Sequence, residues 1–422
     1  MRVGRALPPA AATLRGTDLW HGLAGVAASG RVLERFAAEI RAHFGVSDVF
    51  LVSSGTAALA LTLAALRSRS TRTEVVLPAY TCPSVPAAVL HAGLRPRLCD
   101  VDPDTFDFDG GQLERALNAN TLCVIAHHLF GIGSDVARTR ALCEPRGIVV
   151  VEDAAQAMGA ERQGRQLGTL GDVGIFSLGR GKTITCGSGG IVVTRSKPIA
   201  AAIDEQYRRL PSPTPVDTLK EFALLLVLAA FIRPRLYWIP AALPWLKLGE
   251  TIYPTGIAIA RLSGMKAGLL RNWRRRLADS SRMRSAVAAY FSRRLRLRPP
   301  VGPSYPYLRL PIHVDSPAQK ARLFGLSQAH GLGLSVAYPQ PLSEVPELRG
   351  LFSGEQYPAA RRLADTVLTL PTHQWLSKTD KRAIVACLRH GLTERRGDTE
   401  NATPVIALRA AWIERWPERT SH

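Results

Sequence analysis

Lys182 closes the run Ile175, Phe176, Ser177, Leu178, Gly179, Arg180, Gly181, Lys182, and upstream of it an apolar run over residues 148–151 ends in Glu152, Asp153, Ala154, Ala155, Gln156. Each run reads as a buried strand, so a lysine and a carboxylate stand just past the carboxyl ends of two strands. Such a pair can hold pyridoxal phosphate. The lysine amine condenses with the cofactor aldehyde, and the aspartate keeps the pyridine nitrogen protonated so that the ring withdraws electrons from a bound amine. Taken singly, the two residues are as well explained by a surface lysine and a helix-capping aspartate. The pairing needs a third element, and Val52, Ser53, Ser54, Gly55, Thr56, Ala57, Ala58, Leu59 supplies it. Residues 48–52 read as a strand and 57–66 have helical apolar spacing, which puts Ser54, Gly55 and Thr56 at a helix N-terminus. Free backbone N–H groups and the positive end of the helix dipole gather there, and Gly55 lets an anion come close to the chain. A phosphate fits such a corner, although a plain helix cap has the same residues.

The elements that must position these groups follow from hydrophobic patterning. Short apolar runs at 48–52, 74–77, 95–99, 121–126, 148–151, 173–178 and 190–194 alternate with helical patterns at 56–66, 84–92 and 134–146. Runs without strict polar alternation, separated by helices, predict a mostly parallel, doubly wound seven-stranded α/β sheet covered on both faces. Sheets of this kind bind ligands outside the carboxyl ends of their strands, where Gly55, Asp153 and Ser177 all fall. Beyond residue 261 the pattern predicts a smaller C-terminal α/β domain, with short strands at 307–312 and 334–337 and helices at 318–330 and 379–389. This divides the chain into a large domain (1–212), an apolar insertion (213–257), a small domain (258–392) and a polar tail (393–422).

The 422 residues are 46% apolar, enough for a large core. No charged, apolar and small-residue succession marks a leader near residue 1, so a cytoplasmic protein is expected. Cys82, Cys99, Cys123, Cys143, Cys186 and Cys387 form no Cys-x-x-Cys pair, and neither zinc nor an iron–sulfur cluster is indicated. The net charge of +20 is carried largely by arginine, with ten between 271 and 298. Trp273, Leu277, Met283, Val287, Tyr290 and Phe291 among them read as the buried stripe of a long helix with a basic, solvated outer face. No nucleic-acid signature accompanies the charge. Residues 222–232 (FALLLVLAAFI) are apolar throughout, too short a run to span a bilayer, and Arg233, Pro234 and Arg235 stop it from lengthening. With Tyr237, Trp238, Trp245 and Lys247 the segment suits either packing in the core or against a partner subunit, or contact with an anionic membrane surface. In either case the three aromatic rings are expected near the surface of an apolar protrusion, between the large domain and the arginine-rich helix.

Together these residues resemble the DegT/StrS family of pyridoxal-phosphate sugar aminotransferases, a branch of the type I aspartate-aminotransferase fold. The resemblance runs from about 32 to 388, broken at about 213–257. It rests on Ser54 to Leu59, Leu77 to Thr81, Val101 to Thr105, His128 to Gly131, Glu152 to Gln156, Gly171 to Ser177 with Lys182, Gly189 with Gly190, and Leu370 to His373. It implies that Lys182 binds the cofactor and shuttles protons, that Asp153 partners the pyridine nitrogen, and that Gln156 bonds the phenolic oxygen. It also implies that Ser54, Gly55, Thr56 and Ser177 surround the phosphate, and that the protein is a homodimer with sites between subunits. The implied reaction moves an amino group from an amino acid such as glutamate to a keto sugar carried on a nucleotide. Cys82 stands where many members stack a ring on the pyridine, which leaves that role to Tyr80 or to no residue. Ser188, Ile259 and Ser343 replace a common glutamate, asparagine and histidine, so the substrate side departs from the family pattern. A sugar dehydratase of the same fold, and a non-catalytic membrane-surface scaffold, are the alternative readings.

Overall fold

The computed structural model describes residues 4–246, 248–249, 251–302 and 304–393. In chain order the first half contains α1 (Gly16–Ala27), α2 (Ser29–Phe44), β1 (Asp48–Val52), α3 (Gly55–Arg67), β2 (Glu74–Pro78), α4 (Ser84–His91), β3 (Arg95–Cys99) and α5 (Gly110–Ala116). It continues with β4 (Thr121–His127), α6 (Val136–Cys143), β5 (Val149–Asp153), β6 (Val173–Ser177), β7 (Gly190–Thr194) and α7 (Lys197–Arg208). The sheet order is β1-β7-β6-β5-β4-β2-β3, and only β7 runs against the others. The predicted seven-stranded, mostly parallel sheet is therefore present. Its central strands read Val-Val-Val and Leu-Cys-Val-Ile-Ala because both faces are covered, and β4 is buried at every position.

β5 extends two residues past the predicted end and takes in Asp153 itself, which pairs with His127 on β4 and Ile175 on β6. The predicted helix at 134–146 is α6 followed by a separate 3-10 turn, Glu144–Arg146, in which Pro145 occupies the second position.

The second half comprises α8 (Pro215–Phe231), α9 (Pro234–Ala241), α10 (Gly264–Leu269), α11 (Trp273–Leu295), β8 (Arg309–His313), α12 (Pro317–His330), α13 (Pro358–Thr366), β9 (Val367–Pro371) and α14 (Lys378–Thr393). β8 and β9 pair antiparallel. The strand predicted at 334–337 is a single bridge, Ser335 to Thr369. Gly333 and Ala337 on either side adopt left-handed φ values of 74° and 56°, which no strand accommodates. One core joins the two halves, with Leu61, Leu77 and Ile125 of the first half in the same apolar cluster as Phe291, Leu310 and Leu368 of the second.

The arginine-rich helix corrects one expectation. Trp273, Leu277, Val287 and Phe291 do form its buried stripe, but Arg276 and Arg284 face inward with them. Arg276 donates to the carbonyls of Leu269, Thr13 and Thr185 and lies 3.7 Å from Asp18. Arg284 donates to Leu308 O and Thr372 Oγ1. Both guanidiniums act as buried cross-braces rather than as part of a solvated face. Residues 5–13 thread past them: Arg5 pairs with Asp380, Leu7 N donates to Gly331 O, and Pro8 O accepts from the His373 ring.

The apolar insertion is a helical hairpin. Thr214 and Asp217 close a capping box at the start of α8, and Pro215 occupies its first turn. Pro234 forbids continuation and holds Arg233 extended (φ −71°, ψ 134°), so α9 leaves at 112°. Leu225 is the one buried residue of α8, seated on Gly187, whose φ of 90° and missing Cβ leave room for it. Glu221 pairs with the buried Lys266, which also reaches Ser188 Oγ at 2.9 Å. Trp245 is exposed as expected, but Tyr237 turns inward and Trp238 is half-buried. Lys247 lies outside the described residues. Each buried leucine is stabilised by about 1.5–3 kcal/mol relative to exposure, a gain that Leu219, Leu224 and Leu226, all exposed, do not have.

Candidate active site

Asp153 at the end of β5, Ser177 at the end of β6 and the N-terminus of α3 converge on a cavity of about 260 Å³. Ser54, Gly55, Thr56, Cys82, Asp153, Gln156, Ser177 and Lys182 all line it. A larger cleft of about 520 Å³ lies elsewhere, between the α3 and α7 residues, and Arg69 and Arg72 are the charged groups on its walls. Chemistry, not size, distinguishes the smaller cavity.

At the α3 end, Ser54 Oγ accepts from Ala57 N at 3.0 Å and its carbonyl from Ala58 N at 2.9 Å, so Ser54 is the helix cap. The first amides of a helix have no partner within it, which leaves those of Gly55 and Thr56 at the cavity wall. Ser177 stands directly across. A Cβ at position 55 would come within 2.8 Å of Ser177 Cβ and 3.0 Å of its Oγ. The corner is a cradle for a small anion, and an alanine would fill it. Burial lowers the pKa of Lys182, while Cys82 and Asp153 nearby oppose that shift. A larger share of the amine is then neutral and nucleophilic near pH 7.

The Asp153 carboxylate is held by its neighbours. Its Oδ1 accepts from Ala155 N at 3.1 Å, and its carbonyl accepts from His128 N at 3.0 Å. Behind it Glu152 faces the opposite side of β5 and is saturated: it accepts from His128 Nε2 at 2.8 Å and from the amides of Gly168, Leu170 and Gly171 at 2.8, 2.5 and 2.5 Å. Ser134 N–H donates to His128 Nδ1 at 3.1 Å, so the proton is on Nε2 and points at Glu152. Burial alone would raise the Glu152 carboxyl, but His128 and the Gly171 and Gly168 amides hold it below its ordinary value. This pair fixes the end of β5, and with it Asp153.

Cys82 is in the cavity wall, whereas Tyr80 is fully buried behind it, outside the lining, its ring edge-on to Tyr338 at 5.5 Å. The ring that lines the cavity is Tyr338, which sequence reasoning missed. It follows Ala337 in its left-handed turn, and its hydroxyl accepts from Gln156 Nε2 at 3.0 Å. Burial, with Cys82 and Asp153 nearby, pushes that phenol well above its usual range, so it stays protonated. Gln156 Oε1 accepts from Phe130 N at 3.1 Å, so its amide is engaged on both sides. His127 also lines the cavity: its Nε2 donates to Phe106 O at 2.8 Å, and its buried Nδ1 has no partner. The cradle, the carboxylate, the buried amine and this bare acceptor together fit pyridoxal phosphate.

Arg309 of β8 lies outside the cavity lining. Its Nε and Nη2 are buried without a partner, and the charge of Arg309 and the phenols of Tyr338 and Tyr237 lie close enough to influence one another. Burial lowers both Arg309 and Arg284 to about 10, and at Arg284 the Arg309 charge adds to the effect. A lone arginine in a strand gives no periodic or spacing signal, so nothing in the sequence marked it.

The geometry agrees with comparisons to known proteins. The profile described as the DegT/DnrJ/EryC1/StrS aminotransferase family matches residues 23–222 and 245–389. GDP-perosamine synthase of Vibrio cholerae is 33% identical over 171 residues, covering 40% of this chain and 46% of that protein. The UDP-N-acetyl-3-dehydro-alpha-D-glucosamine 3-aminotransferase of Acidithiobacillus ferrooxidans is 37% identical over 166 residues, covering 39% and 44%. The matched stretches thus span less than half the length of these curated relatives. Among solved structures, PseC of Helicobacter pylori superposes with a TM-score of 0.75 at 18% identity, over 92% of this chain and all of that one, which speaks for the fold. TlmJ of Streptoalloteichus hindustanus superposes with a TM-score of 0.72 at 26% identity, covering 92% and 99%. The type I fold is common to both, and the profile passes through the cradle, Asp153 and Lys182 while taking in most of the chain. On that basis the protein belongs to the DegT/DnrJ/EryC1/StrS aminotransferase family.

Proposed function

We propose that the protein is a pyridoxal-phosphate-dependent aminotransferase that passes an amino group from an amino acid, such as glutamate, to a keto sugar carried on a nucleotide. The observation that carries this reading is the convergence of Lys182, Asp153 and the Gly55–Ser177 cradle on one cavity. Pyridoxal phosphate, when bound, would supply the electron sink. Gly55 and Thr56 amides with Ser177 would hold its phosphate, and Asp153 would keep its ring nitrogen protonated. Lys182, its pKa lowered by burial, would take a proton from the substrate carbon and return it to the neighbouring one. Tyr338, kept protonated, would donate a hydrogen bond, and the unpaired nitrogens of Arg309 would favour an anionic group of the donor or acceptor. We further propose a homodimer, supported by Trp20 (70% exposed), Leu23 and Val26, which form an apolar stripe on α1. The six free cysteines fit a reducing compartment such as the cytoplasm.

The test is to incubate the purified protein with pyridoxal phosphate, a panel of nucleotide-linked keto sugars and a panel of amino donors, and to identify products by mass spectrometry. An aminated sugar with a matching keto acid is expected. If the cofactor band never bleaches with any amino donor, the assignment fails.

A further inference from the structure

The family profile stops at residue 222 and resumes at 245, so most of the α8–α9 hairpin lies outside the match to the family. Between residues 222 and 232 no side chain carries a charge or a hydrogen-bonding group. Leu219 and Leu224 are 69% and 57% exposed, and Leu226 and Val227 are exposed as well, while Leu225 alone is buried. A helix that is apolar on every side needs an apolar medium around it. Among the described residues no single helix is long and apolar enough to cross a membrane, and the pair that would pass together bends by 112°. Beyond the bend Trp245 is 72% exposed. Arg233 and Arg235, both exposed, flank the bend and make no salt bridge among the described residues.

We propose that this hairpin docks the protein on an anionic membrane, lying in the plane of the interface. Leu224, Leu226, Val227 and Trp245 enter the acyl boundary, and Arg233 and Arg235 reach lipid phosphates. Long basic side chains beside aromatic and aliphatic ones match the layered polarity of a bilayer surface. A net charge of +20 draws the chain toward anionic lipid. A second copy of the chain fits less well. A two-fold contact centred on the bend would set Arg233 and Arg235 near their own copies, where like charges repel, and the run offers no polar group to fix a register.

The test is flotation of the full chain with phosphatidylcholine vesicles, with and without phosphatidylglycerol, at low and high salt and without substrate, so that the outcome is independent of transamination. The intact protein is expected to float with the anionic vesicles. Leu224→Ser/Leu226→Ser/Val227→Ser, changed only at exposed positions, is expected to lose about tenfold or more of that partition with its sedimentation coefficient unchanged. Arg233→Gln/Arg235→Gln is expected to lose a similar amount at low salt. Should a variant misfold, brominated acyl chains decide in the native background, because Trp245 is expected to be quenched and Trp245→Phe to lose that quenching. An intact protein that stays with the soluble fraction overturns the proposal. So does an unquenched Trp245, or a serine variant that floats as before but falls to a smaller oligomer, which would assign the face to a second copy.

Discussion

At the scale of single residues the site depends on an absence, the Cβ that Gly55 lacks. Gly55→Ala places a methyl group within 2.8 Å of Ser177, in the corner that would take the cofactor phosphate. Alanine is the better helix former by about 1 kcal/mol, so the fold is expected to persist while the cofactor dissociation constant rises by about tenfold or more. Titration of the apo-protein with pyridoxal phosphate, followed by absorbance, reads this directly. An unchanged affinity would move the phosphate elsewhere. Lys182→Ala is expected to cut turnover by about 10³-fold or more with little change in Tm, since it removes both the amine and the proton carrier. Borohydride reduction and peptide mapping of the native holoenzyme should find the cofactor on the peptide that contains Lys182. Both predictions involve residues that the sequence exposed, because an amine, a carboxylate and a glycine at strand and helix ends are chemically distinctive. Tyr338 was not legible, because a tyrosine in the second half of the chain reaches the cavity only through the left-handed turn at Ala337, which no periodicity encodes.

At the scale of elements, the end of β5 is fastened by one carboxylate. Glu152 accepts from His128 and three loop amides, tying β5 to the loop at 168–171 and to the residue after β4. Glu152→Gln replaces one acceptor oxygen by a donor NH₂ that must face an existing donor. A loss of about 3 kcal/mol or more is expected, because a buried polar group is left mismatched in a site built for a charge. Urea denaturation reads it, and a lowered cofactor affinity should accompany it if Glu152 positions Asp153. The seven strands of the large sheet were legible to within two residues at either end, because short β-branched runs such as Val75-Val76-Leu77 alternate with helical patterns, whereas β9 gave no such signal and 334–337 proved a single bridge. The hairpin was legible as an apolar block but not in its orientation. Tyr237 is largely buried, near enough to Arg309 and Arg180 for their charges to act on its phenol, and that placement comes from residues far apart in sequence, as does that of Arg276 and Arg284, which periodicity placed no differently from their exposed neighbours.

At the scale of the whole molecule, His373 is a buried weak point toward acid. Burial is the main cause that lowers its pKa to about 3 from 6.5; the bond to Pro8 O opposes this, and the charges of Arg284 and Arg309 assist it. The folded state keeps His373 neutral while the unfolded chain protonates below about pH 6.5. Its share of stability is therefore complete above that pH and is lost as pH falls toward 3, by up to roughly 4 kcal/mol. His373→Gln, which retains a donor for Pro8 O, is expected to flatten the decline in Tm between those limits. If the acid limb is as steep as in the wild type, other buried groups such as His127, itself lowered by burial, dominate it.

The strap formed by residues 5–13 also has a consequence for the order of synthesis. Arg5 and Asp380 are 375 positions apart. On a ribosome adding about 5–20 residues per second, roughly 20 to 75 seconds separate their appearance. Through most of that interval Leu7 has no Gly331 to bond and Pro8 no His373, and Arg284, once made, still lacks Leu308 and Thr372. The large sheet can close as soon as Thr194 emerges, since its strands end there. The clasp across the two halves is thus made only after α14 leaves the exit tunnel, and it is closed by a segment translated long before the residues it joins.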